Sequence, residues 1–169
     1  MSPNPFAWSF RQRFAAGFVS CVGLMAYALY AQHGLGLEPC PLCIFQRVAV
    51  IALGLVFLAG WLAGPRPGPW RIGFGVLGLV AAGVGAGVAG RHVWLQTLPS
   101  DEVPACSMMS LDYMREAFGI GEVVRRVFTG SGECAEIDWS FLGLSMPAWT
   151  LAAFVLLGAW AVLAGLQRR

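Results

Sequence analysis

The sequence predicts an all-α membrane protein: a bundle of four transmembrane helices that forms a single integral membrane domain over residues 1–169. Hydrophobic residues make up 57% of the chain and charged residues 12%, whereas a soluble domain would carry roughly a quarter of its residues as charged ones. Four apolar stretches each approach the roughly 20 residues that a helix needs to cross the hydrocarbon core. Because these stretches show no alternation of polar and apolar residues, they predict helices and not barrel strands. The predicted spans are residues 14–31, 44–63, 72–90 and 146–166.

Two of the stretches also match other patterns. The first follows Arg11 and Arg13, as the apolar core of a cleaved secretory signal would. Its apolar run exceeds the usual 7–15 residues of such a signal and three more spans follow, so we predict an uncleaved anchor. Residues 85–90 match the dinucleotide pattern GxGxxG, but no strand precedes them. The glycines of this third span are instead predicted to let helices pack closely.

Arginine placement predicts the orientation of the four helices. Arginines near the ends of spans concentrate on the cytoplasmic side of a membrane. Six arginines fall at the two ends of the chain and in loop 64–71, against two close to a span on the opposite side. We therefore predict that both termini and loop 64–71 are cytoplasmic and that loops 32–43 and 91–145 lie outside. The net charge of +2 is too small to indicate nucleic-acid binding.

The long outer loop contains a predicted amphipathic helix. Six apolar residues recur there at helical spacing, which predicts a short helix lying in the membrane interface or covering the top of the bundle. They are Leu111, Met114, Phe118, Val124, Val127 and Phe128.

Cysteine placement indicates redox chemistry outside the cytoplasm. Cys40 and Cys43 lie at the outer end of the second span, Cys106 and Cys134 lie in loop 91–145, and Cys21 lies within the first span. Disulfides persist in extracytoplasmic compartments, and each outer loop holds one pair. Cys21 is interpreted as a small buried apolar residue.

Metal binding and purely structural disulfides are the alternatives. A structural zinc site normally has four ligands. The second pair has 27 residues between its members, and the only histidines are His33 and His92, so the sequence predicts no metal site. Two purely structural disulfides that cross-link the loops are the other alternative. A CxxC disulfide, however, closes a very short ring and stabilises little through loop entropy, whereas it is typical of catalytic thiol exchange.

The surroundings of Cys43 favour the catalytic interpretation. Pro41 suits the first helical turn, so we predict that the helix begins between the two cysteines, with Cys43 near its positive end, where a thiolate is stabilised. Arg47 lies four residues on and shares that helix face. An ionisable residue within a span predicts a functional role, although its side chain could simply extend to the interface. Arg47 could stabilise a thiolate or an anionic reduced reactant, and a membrane quinone is the natural acceptor of two electrons there.

Three segments together resemble one family. EPCPLCIFQR, RHVWLQTLPSDEVPAC and SGECAEIDWSFLGLSMPAW are similar to the signature regions of the DsbB family, in the same order and spacing from about residue 32 to 149. Members of this family reoxidise the periplasmic dithiol oxidase DsbA and pass the electrons to quinone in the bacterial inner membrane. The resemblance implies a multi-pass inner-membrane protein with its active site on the periplasmic side, and a DsbA-like oxidase as its partner.

The resemblance also implies roles for both cysteine pairs. Cys40 and Cys43 match the pair near the quinone, with Cys43 as the cysteine whose thiolate contacts the quinone ring. Cys106 and Cys134 match the loop pair that exchanges with DsbA. The partner would attack Cys106 and release Cys134, which would then attack Cys40.

Further residues are implied to bind the cofactor, ubiquinone or menaquinone. Arg47 matches the arginine that the family needs for quinone use. His92 matches a histidine near the quinone head group, although it could equally be a polar residue at a helix end. Gln46 departs from the family pattern, in which this position is often acidic.

Three hypotheses follow. The first is a quinone-dependent oxidant of a DsbA-like enzyme. The second is a paralogue within the family that serves a dedicated partner oxidase. The third, from a different class, is a non-catalytic four-span protein with two structural disulfides; it predicts inert disulfides and gives Arg47 no role.

Overall fold

A computed structural model of the chain describes residues 8–64, 68–99, 134–135, 137 and 139–166. This part of the chain folds into four helices and a short hairpin. Each of the four helices is long and apolar enough to cross a membrane, which confirms the predicted four-helix membrane fold. The elements are α1 (Phe10–Gly34), α2 (Pro41–Ala63), α3 (Pro69–Leu95), β1 (Ser140–Phe141), β2 (Leu144–Ser145) and α4 (Met146–Leu166).

The first three helices extend beyond the apolar stretches that predicted them. The predicted boundaries followed the last apolar residue, but a helix continues through polar residues until a capping or breaking residue ends it. At the end of α2 this residue is Gly64, which has a φ of 70°, a conformation that glycine adopts without strain. In α3 the helix continues through polar residues to Leu95. Residues 91–95 are thus its last turn and not part of a loop as predicted. The predicted amphipathic helix of the long loop lies outside the described residues.

The starts of the helices are encoded locally. Before α1, Ser9 and Gln12 form a capping box, in which the Gln12 amide donates to Ser9 Oγ at 3.4 Å and the Ser9 amide donates to Gln12 Oε1 at 2.9 Å. Cys40 is the N-cap of α2 and Pro41 is its first residue, which confirms the predicted helix start between the two cysteines.

The hairpin was not predicted. Its strands β1 and β2 pair antiparallel, with Ser140 opposite Ser145 and Phe141 opposite Leu144. Leu142 and Gly143 connect them with positive φ angles of 52° and 78°, as the tight turns of two-residue hairpins require. The hairpin leads directly into α4 and fixes the direction from which the chain enters that helix.

The helices pack in chain order, with α1 on α2, α2 on α3 and α3 on α4, while α1 and α4 pack less extensively against each other. The core between them contains three fully buried aromatic side chains: Phe14, Phe57 and Phe154. Large apolar side chains cover the outer surface of all four helices. They include Val19, Leu55, Val80 and Leu156, and such a surface suits lipid and not water.

Small residues allow α3 and α4 to pack closely. This agrees with the role predicted for the glycines of the third span. A Cβ atom on Gly78 would lie 2.7 Å from Cβ of Ala161, and one on Gly85 would lie 2.3 Å from the ring of Phe154. Both distances are too short for two carbon atoms. Glycine therefore allows an approach that no larger residue permits.

We expect Gly85→Ala to destabilise the bundle by about 1–3 kcal/mol, because the added methyl group overpacks a buried site against Phe154. Gly87→Ala is the matched control: it lies two residues along the same helix, and an added Cβ there would meet no atom within 4 Å. The measurement is the thermal unfolding midpoint of each variant in detergent. Equal midpoints for the two variants would contradict this account of the α3–α4 contact.

Candidate functional site

The two cysteines of the CxxC motif lie together at the start of α2. Cys40 Sγ lies 3.0 Å from Cys43 Sγ and donates to it, and the amide of Cys43 donates to Cys40 Sγ at 3.3 Å. The short helical turn that Pro41 initiates produces this arrangement, because an N-cap side chain folds back onto the amide three residues on. A further approach of about 1 Å would bring the two sulfurs to the length of a disulfide bond.

His92 joins the cysteine pair from α3. Its side chain is buried, with Nε2 3.8 Å from Cys40 Sγ and Nδ1 4.0 Å from Cys43 Sγ. The placement of His92 in the last helical turn, and not in a loop, aims the imidazole across the bundle at both sulfurs. The histidine is thus a neighbour of the thiol pair.

Gln46 holds the imidazole of His92. Its side-chain nitrogen Nε2 lies 3.0 Å from Nδ1 of His92, and both side chains are buried. The two nitrogens lie within hydrogen-bonding distance, and the tautomer of the ring sets the direction of the bond. No role was predicted for Gln46 from the sequence. The one feature that could have indicated a buried position is its place at helical spacing between Leu42 and Val50, which are both buried.

Arg47 is anchored on α1. Its Nη1 donates to Gln32 Oε1 at 2.5 Å and its Nη2 donates to the carbonyl of Ala28 at 3.1 Å. The guanidinium is therefore held beside the cavity that Cys43 also lines. Gln32 was missed by sequence reasoning, since nothing in the sequence shows that the end of α1 packs on this turn of α2.

Cys134 packs against the same end of the bundle. It is 1% exposed and belongs to a buried cluster with Leu42 and Leu95, against which Cys40 also packs. The structure thus brings one member of the predicted loop pair to the CxxC motif, while Cys106 lies outside the described residues.

Cys21 is separate from this group. Cys21 is buried within α1 and packs against Gly54 of α2. A Cβ atom added to Gly54 would lie 3.3 Å from Cβ of Cys21. Its neighbours are the apolar residues of the main core. This agrees with the prediction of a small apolar packing residue.

A cavity of about 850 Å³ opens beside the cysteine pair, between α1, α2, α4, the hairpin and the end of α3. Small-molecule sites typically have this size, a mostly apolar lining and a few polar groups. The polar lining here includes Gln46, Arg47, His92 and Gln96. The apolar lining includes Met25, Val50, Phe141, Pro147, Trp149 and Leu156.

A dithiol at the mouth of a four-helix membrane bundle, with a third sulfur packed beside it, defines a class of membrane proteins built for thiol–disulfide chemistry. Comparison with known proteins specifies this class. The family model of disulfide bond formation protein DsbB matches residues 10–164 of the chain. The chain therefore belongs to the DsbB family and is a membrane protein of disulfide bond formation.

Relatives match along almost the whole chain. Disulfide bond formation protein B of Xanthomonas euvesicatoria pv. vesicatoria (strain 85-10) is 54% identical over 166 residues, which cover 98% of this chain and 96% of the relative. The protein of the same name from Xylella fastidiosa (strain 9a5c) is 44% identical over 164 residues, which cover 97% and 94% of the two chains.

Proposed function

We propose that the protein reoxidises a periplasmic DsbA-like dithiol oxidase and passes two electrons, through its two cysteine pairs, to a membrane quinone, either ubiquinone or menaquinone. One observation carries the proposal: Cys43 and Arg47 line the same apolar cavity at the end of the bundle. A non-catalytic protein with two structural disulfides would need neither the cavity nor the arginine.

The residues that line the cavity fit a quinone. Its volume of about 850 Å³ suits an aromatic head group, and the apolar side chains of α1 and α4 suit the start of an isoprenoid tail. Arg47 and His92 would hold the head group, since both carry N–H donors for quinone oxygens. When bound, the quinone supplies a two-electron acceptor that takes up two protons as it becomes the quinol.

Arg47 is the residue that favours negative charge in the site. Its guanidinium supplies a positive charge and planar N–H donors, and the hydrogen bonds to Gln32 and Ala28 fix its direction. A thiolate at Cys43, one helical turn away, is stabilised by this charge and by the positive end of α2. His92, held by Gln46, presents Nε2 to Cys40 Sγ at 3.8 Å and can hydrogen-bond to that sulfur.

The exchange steps balance without any further reactant. A partner thiolate attacks Cys106 of the Cys106–Cys134 disulfide and forms a mixed disulfide, and the thiolate of Cys134 leaves. The second partner thiol resolves this adduct, so the partner becomes oxidised and Cys106 is released. Cys134 attacks Cys40 and expels Cys43, and Cys106 then attacks Cys134 and restores the loop disulfide. The Cys40–Cys43 pair is left as a dithiol that holds the two electrons of the partner.

The need for an acceptor follows from the redox potentials. DsbA has a potential near −120 mV, whereas structural disulfides lie below about −300 mV. An ordinary disulfide could not oxidise such a partner at equilibrium. A strong acceptor beside Cys40 and Cys43 supplies the driving force instead.

The orientation is part of the proposal. The excess of arginines at the two chain ends and in loop 64–71 supports cytoplasmic termini. The cysteine pair would then lie at the periplasmic face of the inner membrane, where the partner operates.

The decisive test is turnover of a reduced DsbA-like partner by the purified protein with and without added quinone. We expect oxidation of many equivalents of partner only when quinone is present, and no turnover by Cys43→Ser. Cys21→Ala is the control and should turn over like the wild type, because Cys21 lies in the apolar core. Absence of turnover with quinone, in a folded wild-type protein, would favour the non-catalytic alternative.

A further inference from the structure

The cysteine pair and His92 form a potential three-ligand metal site. The sulfurs of Cys40 and Cys43 and a ring nitrogen of His92 all lie within 4.8 Å of one another. The sequence predicts no metal site because it contains no second CxxC motif. The spacing of the cysteines alone provides only two ligands. The fold adds a third, because α3 places His92 beside the pair although it is more than forty residues away in the sequence.

The distances are close to those of a tetrahedral zinc site. With Zn–S bonds of about 2.3 Å and Zn–N bonds of about 2.05 Å, tetrahedral geometry places two sulfurs about 3.8 Å apart and sulfur about 3.6 Å from nitrogen. Nε2 of His92 lies 3.8 Å from Cys40 Sγ, the two sulfurs are 3.0 Å apart, and one ring nitrogen lies within 4.8 Å of both sulfurs. Binding would require the two sulfurs to move apart by about 0.8 Å and Cys43 Sγ to approach the same ring nitrogen as Cys40 Sγ.

Gln46 provides the support that a histidine ligand needs. Ligating imidazoles usually donate their second N–H to a neighbouring acceptor, which fixes the ring. The Gln46 amide already contacts Nδ1 of His92 at 3.0 Å, and a half-turn of this amide presents its oxygen as that acceptor. Nε2 is then left to bind the metal on the side of Cys40.

We propose that the reduced Cys40–Cys43 pair and His92 bind a thiophilic divalent cation of the Zn²⁺ type. Two thiols lose two protons, two metal–sulfur bonds and one metal–nitrogen bond form, and no electron is transferred. The fourth position is open to Cys134, which packs in the cluster beside Cys40, or to water.

This binding depends on redox state. A disulfide has no thiolate to offer, so only the dithiol form of the pair binds the ion. The bound ion holds both sulfurs and blocks their reoxidation until it is removed. The inference needs only that the pair can be reduced and does not rest on the proposed quinone chemistry.

The test is a titration of the full-length protein in detergent, without quinone or partner, with Co²⁺ as a spectroscopic probe and Zn²⁺ in competition with a chromophoric chelator. We expect one ion per reduced chain, with the absorption of a tetrahedral thiolate complex, and none per oxidised chain. His92→Gln should weaken binding at least about ten- to a hundredfold, the cost typical of losing even an outer partner of a metal site.

Two control variants make the result specific. His33→Gln removes the other histidine, which is exposed at the end of α1, and should bind like the wild type. Cys21→Ala should do the same. Cys43→Ser gives a second route to the answer if His92→Gln does not fold, since loss of one thiolate should abolish the tetrahedral spectrum. Equal binding by oxidised protein, or unchanged affinity in folded His92→Gln and Cys43→Ser, would overturn the proposal.

Discussion

Replacing Arg47 by alanine is expected to raise the apparent KM for quinone about ten- to a hundredfold and to leave the KM for the dithiol partner nearly unchanged. A hydrogen bond to a charged group contributes about 1.5–3 kcal/mol, which corresponds to that range. The guanidinium lines the cavity with Cys43, and two hydrogen bonds to α1 direct it there. Steady-state kinetics with varied quinone and fixed partner, and the reverse, measure both constants.

The same hydrogen bonds suggest a competing, purely structural role for Arg47 as a tie between α1 and α2. Gln32→Ala separates the two roles, because it removes the bond at Nη1 but leaves the charge in place. If Arg47 binds quinone, Gln32→Ala should change the KM for quinone much less than Arg47→Ala does. If both variants lower the thermal midpoint alike and leave quinone kinetics intact, the assignment is wrong. Arg47→Lys should restore activity only in part, because an ammonium lacks the planar fork.

The fold was largely predictable because membrane-length apolar runs report directly on helices in lipid. The start of α2 was predictable too, since Pro41 encodes it locally. Helix ends were less so, because polar residues such as His92 continue α3 beyond its apolar run. The hairpin at Leu142 and Gly143 was missed, as its two strands have only two residues each and show no usable alternation.

The candidate site was predictable only within one helix. The spacing of Cys43 and Arg47 gave their shared face from helical geometry alone. The contacts of Arg47 with Gln32, and of His92 with Gln46, join different helices and depend on packing that no local pattern reports. His92 entered the prediction only through resemblance, and its closeness to both sulfurs is a property of the fold.

The second large effect concerns the order of exchange. A partner that lacks its resolving cysteine is expected to be trapped on Cys106, and Cys106→Ser should reduce trapping to background. The sequence gives two opposing arguments about Cys134. Negative charge at Glu133 and Glu136 disfavours its thiolate, which makes it a slower leaving group but, once released, a better nucleophile.

The position of Cys134 supports Cys106 as the residue that the partner attacks. The side chain of Cys134 is 1% exposed, so the thiol of a partner protein has little access to it. Cys40, in contrast, packs against the same cluster as Cys134 and lies near it. Cys134 therefore suits the internal attack on Cys40 and not the encounter with the partner, which leaves Cys106 for the mixed disulfide. Mass spectrometry of the trapped adduct measures the choice, and Cys134→Ser is the control that should still trap the partner on Cys106. An adduct on Cys134, or equal trapping by Cys106→Ser, would reverse the proposed order and would require the buried sulfur to become exposed before the partner can react.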